Sequence, residues 1–206
     1  MRLTEDRYSR DLRRHDLALR LIAFEARTNT ICYYTGLSAS RVRSLGKSDY
    51  ATKDGVAPVR HRGPSPYRAS AILTDPRYRE DVSIVGAVRQ LLYPAFFDSF
   101  GGADAHLNAG EYLCAVFEGY IGLALPPSLT FEQVLLLEKT LARGKLASTT
   151  SCTNCSALVV RDSLSLGGLR CKQCLSPETR YRNSAQMISL SEVAETGSLY
   201  FQEPLF

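Results

Sequence analysis

The 206-residue sequence lacks any run of 18 apolar residues, so no segment of it is predicted to span a membrane. Its most apolar stretch, residues 113–125, is interrupted by Glu118 and followed by Pro126 and Pro127. The first residues are charged and lack the apolar core of a secretory signal, which predicts a cytoplasmic protein in a reducing compartment. Apolar residues make up 45% and charged residues 22% of the chain, a balance that predicts a folded globular protein.

The sequence also lacks the motifs that mark common enzyme classes. It contains no HExxH, no P-loop, no GxGxxG and no pair of carboxylates beside a histidine. Its three histidines, His15, His61 and His106, are scattered, and each is expected in a surface or loop position rather than as a general base. We predict that the protein is not an enzyme.

The net charge of +4 is unevenly distributed. Residues 1–90 hold 17 basic and 10 acidic side chains (17 − 10 = +7), and 15 of those basic residues are arginines. Residues 91–150 hold 3 basic and 6 acidic side chains (3 − 6 = −3), and residues 151–206 hold 5 of each. Arginine can form paired hydrogen bonds with a phosphate or with the edge of guanine. The basic part of the chain is therefore either a surface for a polyanion or an ordinary solvated face. We expect the acidic middle of the chain to meet a different partner.

Apolar residues at helical spacing predict a mostly helical fold. The expected helices cover residues 5–35, as one helix or a pair ending at Gly36, and then residues 39–46, 80–100, 103–125 and 130–143. Leu12, Leu91 and Ile121 belong to the predicted apolar faces, and residues 47–70 are expected to form a loop. Thr130 with Gln133 fits a capping box, and Gly144 fits a helix stop.

The cysteines predict a metal site. Four of the six follow the pattern CxxC-x15-CxxC, a spacing typical of zinc sites, and they are Cys152, Cys155, Cys171 and Cys174. Four thiolates leave no open coordination position, so one structural Zn²⁺ is expected. The net negative charge of the zinc–tetrathiolate is expected to be offset by Lys172 and by backbone amides. Two disulfides, an accidental arrangement of the cysteines and an iron–sulfur cluster are the alternatives. Cys32 and Cys114 lie singly in apolar patterns and are expected to be small buried residues.

Residues 28–47 predict a helix-turn-helix. Cys32 is small and precedes Gly36, which can take the turn, while Val42 and Leu45 are expected to face inward. Glycine followed by an apolar residue and serine between two helices also occurs in ordinary bundles, which is the alternative. Serine and arginine near a helix start suit phosphate and guanine contacts. The candidate DNA-binding residues are Ser38, Ser40, Arg41, Arg43, Ser44, Lys47, Arg60 and Arg62.

The order of these motifs resembles the FlhC family, the larger subunit of the flagellar master transcriptional activator. The resemblance covers most of the chain and lies in LALRLI at 17–22, EAR at 25–27, GLS at 36–38, RGPSP at 62–66, the run 137–146, SCTNC at 151–155 and CKQC at 171–174. Only Arg180 and Arg182 supply positive charge after the last cysteine, whereas the family's tail is often strongly basic.

The resemblance implies a DNA-binding activator subunit with a four-cysteine zinc site. It implies a heteromeric complex of two such chains with four FlhD-type subunits, which binds double-stranded promoter DNA and helps recruit RNA polymerase to flagellar genes. An FlhC-like activator of other genes, such as transfer operons of mobile elements, and a zinc-stapled protein-interaction module without DNA contact are the alternatives. The expected architecture is a helical bundle with a helix-turn-helix-like N-terminal half. Its expected domains are a helical DNA- and partner-binding domain (1–150), a zinc-binding module (151–177) and a C-terminal tail (178–206).

Overall fold

The computed structural model describes residues 2–48, 61, 63–144, 147–164 and 170–175. Within those ranges the chain is mostly helical with one two-stranded hairpin, so the predicted fold class is confirmed. The division into three domains stays a prediction. The elements are α1 (Arg2–Ala23), α2 (Thr28–Thr35), α3 (Ala39–Ser48), α4 (Ala69–Thr74), α5 (Arg79–Phe96), α6 (Ala105–Leu123), α7 (Phe131–Arg143), β1 (Ala147–Ser151), β2 (Leu158–Asp162) and α8 (Lys172–Leu175), with short 3₁₀ turns at Pro76–Tyr78 and Phe97–Phe100.

The first predicted helix is a pair. After α1 the backbone turns at Glu25, whose φ is +57°, and the amide of Ala26 donates to the carbonyl of Leu21 at 2.9 Å. The second helix then ends at Gly36, whose φ is +70° and whose amide donates to the carbonyl of Cys32. A glycine suits this position because a Cβ is unfavourable in the left-handed region.

The helices pack around one apolar core in which α6 is central. Gly110 of α6 lies so close to α1 and α2 that a Cβ there would approach Leu17 Cδ2 to 2.7 Å and Tyr34 Cβ to 2.9 Å. Leu17 and Tyr34 are themselves buried. The absence of a side chain at Gly110 therefore lets the first two helices seat directly on α6.

The local signals around α7 are confirmed. Thr130 accepts a hydrogen bond from the amide of Gln133, and the Gln133 side chain accepts one from the amide of Thr130, which completes the capping box. At the other end Gly144 adopts φ +64°. These contacts satisfy backbone groups that the helix itself leaves unpaired.

Two sequence expectations are wrong. The predicted loop 47–70 includes the end of α3 and the start of the short helix α4, and residues 49–60 and 62 of it lie outside the described residues. Leu12, Leu91 and Ile121, which belonged to the predicted apolar faces, are exposed. Helical periodicity identifies one stripe of a helix, but it does not determine whether every residue of the stripe meets a neighbour.

The hairpin packs against α5. Strands β1 and β2 are antiparallel, with Ala147 opposite Asp162 and Ser151 opposite Leu158. The contact with α5 is made at Gly86, where an added Cβ would approach Val160 Cγ2 to 2.3 Å and Leu158 Cδ2 to 3.2 Å. The strand that leads away from the first cysteine pair is thus anchored on the helical core.

Each helix in the described part of the chain is too short or too polar to cross a membrane.

Candidate metal centre

The first cysteine pair occupies the turn of the hairpin. Beyond the last strand pair, the amide of Cys152 donates to the carbonyl of Ala157 at 2.8 Å, and the amide of Ser156 donates back to the carbonyl of Cys152 at 3.0 Å. Ser156 takes a positive φ of +60°, which closes this tight turn. The turn holds Cys152 and Cys155 at one end of the hairpin, as the CxxC spacing predicts.

The second cysteine pair is carried by the single helical turn α8. Cys171 lies just before α8, and its carbonyl accepts from the amide of Leu175 at 3.1 Å. Cys174 lies within the turn and is buried. A helical turn places residues three apart on the same side, so both sulfurs point toward the hairpin end.

The four sulfurs converge on one point. All Sγ atoms of Cys152, Cys155, Cys171 and Cys174 lie within 4.8 Å of one another, and those of Cys155 and Cys171 are 3.6 Å apart. A tetrahedral ion with metal–sulfur bonds of about 2.3 Å separates its sulfurs by about 3.8 Å. The structure therefore brings together the four predicted ligands in an arrangement that can hold one metal ion.

Hydrogen bonds from N–H groups surround these sulfurs. The amide of Cys171 donates to the sulfur of Cys152 at 3.3 Å, and the amide of Cys174 donates to that of Cys171 at 3.4 Å. The side-chain amide of Asn154 donates to the sulfur of Cys174 at 3.2 Å. Such donors favour the charged thiolate that a metal binds. The expected contribution of backbone amides is confirmed, whereas Asn154 was not predicted. Its only sequence signal is its position inside the first CxxC.

The protonation of the cluster shows why it suits a cation. Hydrogen bonding from the amide of Cys171 lowers the pKa of Cys152 to about 6, against the opposing effect of burial. The amide of Ala157 acts to lower the pKa of Cys155, but contacts with the other cysteine side chains outweigh it and raise that pKa to about 12. Four adjacent thiolates repel each other, so without a metal some of the four thiols keep their protons. A bound divalent cation removes that repulsion and allows all four to be thiolates.

Lys172, which is expected to offset the charge of the thiolates, pairs with a carboxylate. Its Nζ lies 2.7 Å from Oε2 of Glu80, near the start of α5. Both side chains are exposed, so the pair contributes little to stability. It does connect the second cysteine pair to the same helix that supports the hairpin.

The other two cysteines pack among apolar side chains, as predicted. Cys114 is fully buried in α6, and burial raises the pKa of its thiol to about 12. Cys32 is partly buried and packs against the same core. A buried neutral thiol is a poor nucleophile, because the reactive form is the thiolate.

The helix α3 presents the predicted DNA-binding residues on an exposed surface. Val42 is buried and Leu45 packs against the core, so these two anchor the inner side of α3. At its start, Ser38 Oγ accepts a hydrogen bond from the amide of Arg41 at 3.3 Å and lies 3.0 Å from Ser40 Oγ. The exposed candidates are Ser38, Ser40, Arg41, Arg43, Ser44 and Lys47, while Arg60 and Arg62 lie outside the described residues.

The basic and acidic parts of the chain are partly paired with each other, while the expectation that they face different partners stays a prediction. Arginines of α1 pair with acidic residues on and just before α6, so part of the basic excess is neutralised within the fold. The pairing follows from the direct packing of the two helices. The pairs are Arg10 Nε–Asp104 Oδ1 at 2.9 Å, Arg13 Nη2–Glu111 Oε2 at 2.7 Å and Arg20 Nη2–Glu118 Oε2 at 2.8 Å.

The histidines are dispersed over the described structure. His61 Nε2 lies 3.0 Å from Oε2 of Glu25, and the ring of His106 packs edge-on against Tyr33 at 4.7 Å between centroids. His15 is partly buried on α1. The expectation that the protein is not an enzyme stays a prediction.

No protein-family model matches the chain, and neither does any curated protein sequence.

Proposed function

We propose that the protein is a DNA-binding subunit of a cytoplasmic transcriptional activator, acting with an FlhD-type partner and RNA polymerase at flagellar promoters. The observation that carries this proposal is the exposed side of α3. Arg41, Arg43 and Lys47 are exposed there, and none of them forms an ion pair with another described residue. Within the described part of the chain no carboxylate neutralises their positive charge, unlike that of the α1 arginines that pair with α6.

The spacing of residues on α3 supports a role in the major groove. Ser40, Arg43, Ser44 and Lys47 follow the i, i+3, i+4, i+7 pattern and form one stripe along the helix. This stripe lies away from the inner side that Val42 anchors. A recognition helix needs this division, with apolar residues toward its own domain and hydrogen-bond donors toward the bases and phosphates.

The metal centre supports the proposal as a structural element. We propose that its ion is Zn²⁺, because four thiolates converging on one point suit tetrahedral coordination of a single soft ion. An iron–sulfur cluster contains several iron atoms and inorganic sulfide, and it needs more room between its cysteines than one ion does. Bound zinc would join the hairpin end to α8, and its binding free energy would stabilise the folded module.

A fluorescence-anisotropy titration tests DNA binding. Protein co-purified with its FlhD-type partner is titrated onto labelled promoter DNA at several salt concentrations. We expect the affinity to fall steeply with salt, because cations that bind phosphates release condensed counterions. An affinity that does not change with salt concentration, or no DNA binding by the complex, would contradict the proposal.

A protein-interaction module without DNA contact is the second candidate. Two exposed apolar side chains favour it: Leu91 on α5 is 78% exposed, and Leu125 after α6 is 90% exposed. Burial of these two side chains against a partner protein would remove apolar surface from water. Stable co-purification with an FlhD-type protein, combined with no DNA shift by the complex, would support this candidate over the first. An activator of other genes, such as transfer operons, would bind DNA equally well but prefer different promoters.

A further inference from the structure

The four cysteines differ in their access to solvent. Cys152 and Cys174 are only 3% and 8% exposed and pack with Val159 in a small apolar cluster. Cys155 is exposed and Cys171 is half-buried. The metal centre therefore has a shielded side, formed by one cysteine of each pair, and an open side, formed by the other two.

The two cysteines of the open side are also in direct contact. Their sulfurs are 3.6 Å apart, within van der Waals distance, although Cys155 lies on the hairpin turn and Cys171 lies before α8. A disulfide requires a sulfur–sulfur distance of about 2.05 Å. These sulfurs must approach each other by roughly 1.6 Å to form that bond.

We propose that Cys155 and Cys171 are a site of oxidative modification, at which hydrogen peroxide forms a disulfide and thereby opens the metal centre. This inference rests on the metal centre and does not depend on DNA binding.

The chemistry balances with peroxide as the only oxidant. The Cys155 thiolate attacks one peroxide oxygen, the O–O bond breaks, and a sulfenic acid forms with release of hydroxide. The Cys171 thiolate then attacks that sulfur, the S–S bond forms and a second hydroxide leaves. Two thiolates and one peroxide thus give one disulfide and two hydroxides, and the two sulfurs each lose one electron.

The structure favours this pair over the disulfides within each CxxC motif. A bond between Cys152 and Cys155, or between Cys171 and Cys174, includes one sulfur of the shielded side. In the zinc-loaded centre all four cysteines are bound as thiolates, so exposure decides which of them peroxide reaches first, and the first oxidation is expected at Cys155. Its nearest open-side partner is Cys171.

Formation of this disulfide removes two of the four metal ligands. The remaining thiolates, Cys152 and Cys174, lie on the shielded side and leave the ion half-coordinated. Two thiolates alone do not close a tetrahedral structural site, so the ion leaves. Reduction of the disulfide restores all four ligands, which makes the modification reversible.

The test uses the full-length wild-type protein loaded with zinc. The protein is treated with stoichiometric hydrogen peroxide, the released zinc is measured with a chromogenic chelator, and free thiols are then alkylated. Tryptic digestion places the cysteines of the centre in three different peptides. Cys152 and Cys155 fall in peptide 146–161, Cys171 in 171–172 and Cys174 in 173–180. Fragmentation by mass spectrometry then distinguishes the two cysteines of the first peptide.

We expect one zinc released per peroxide consumed and a crosslink between peptides 146–161 and 171–172, through Cys155. Reduction before alkylation should abolish the crosslink. The Cys32→Ser variant is the matched control, since it removes a partly buried thiol outside the centre and should release zinc equally. Zinc that stays bound under peroxide, or a disulfide confined to one CxxC motif, would overturn the inference. A purified protein that holds no zinc would instead contradict the metal centre itself.

Discussion

Replacing Gly86 by alanine tests how the hairpin is held on the helical core. In the folded protein the new Cβ would approach Val160 Cγ2 to 2.3 Å, whereas carbon atoms normally pack at about 3.5–4.0 Å. Val160 is buried in β2 and its β-branched side chain has little rotamer freedom. Relief therefore requires the strand to move away from α5.

The expected cost is the difference between two opposing effects. Overpacking of a core by a methyl group costs about 1–3 kcal/mol, while replacement of a glycine inside a helix by alanine gains up to about 1 kcal/mol. With the full gain included, we expect Gly86→Ala to lower the free energy of unfolding by about 0–2 kcal/mol. For a domain of this size, each kcal/mol corresponds to a fall in Tm of about 2–4 °C.

Urea unfolding followed by circular dichroism measures this effect, with Gly46→Ala as the matched control. Gly46 also lies inside a helix, but a Cβ there meets only Ile22 Cγ2 at 4.0 Å, an ordinary contact. Gly46→Ala should therefore raise the free energy of unfolding by about 0.5–1 kcal/mol. If Gly86→Ala raised the free energy of unfolding as much as Gly46→Ala does, the result would contradict the close packing of β2 on α5.

Three further predictions concern the metal, the DNA surface and a buried carboxylate. Cys152→Ser should lose the bound metal and destabilise the C-terminal module, because metal binding there contributes directly to folding; a normal metal content by elemental analysis would refute its role as a ligand. Arg43→Ala should weaken DNA binding and reduce the slope of log K against log salt concentration by about 1. Arg20→Ala should leave both unchanged, since Arg20 already pairs with Glu118 within the fold. Anisotropy titrations in which both variants lose the same affinity would show that α3 is not the contact. Burial raises the pKa of Glu138, so the folded state binds the proton of this carboxyl more tightly than the unfolded state does. At low pH this difference adds to the free energy of unfolding, and the contribution is lost as the pH rises through the folded-state pKa. The stability of Glu138→Gln relative to wild type should accordingly increase from pH 4 to pH 7 in urea titrations, and an opposite trend would contradict the assignment of burial as the main cause.

Local signals in the sequence predicted the features that depend on neighbouring residues. The capping box at Thr130 and the stop at Gly144 involve groups three or four residues apart, so their chemistry is visible in the sequence itself. The cysteine spacing similarly predicted which four sulfurs meet. A tetrathiolate site requires two close pairs joined by a return of the chain, and few other structures need that pattern.

Features formed by distant segments were not predictable from one sequence. Arg13 and Glu111 lie 98 residues apart, and their pairing depends on how α1 seats on α6. Charge counting therefore assigned those residues to different partners. The close approach at Gly86 was also invisible, because a glycine inside a helix shows no local sign of what packs against it. The difference in exposure between Cys155 and Cys174 likewise arises from the tertiary placement of α8 on the hairpin.

X-ray absorption spectroscopy at the zinc edge on the purified full-length protein tests the metal centre most directly. The convergence of four sulfurs within 4.8 Å predicts one zinc per chain surrounded by four sulfur atoms at about 2.3 Å, with no nitrogen or oxygen ligand. A spectrum with oxygen or nitrogen in the first coordination sphere, iron in place of zinc, or no metal bound to the reduced protein would contradict this account.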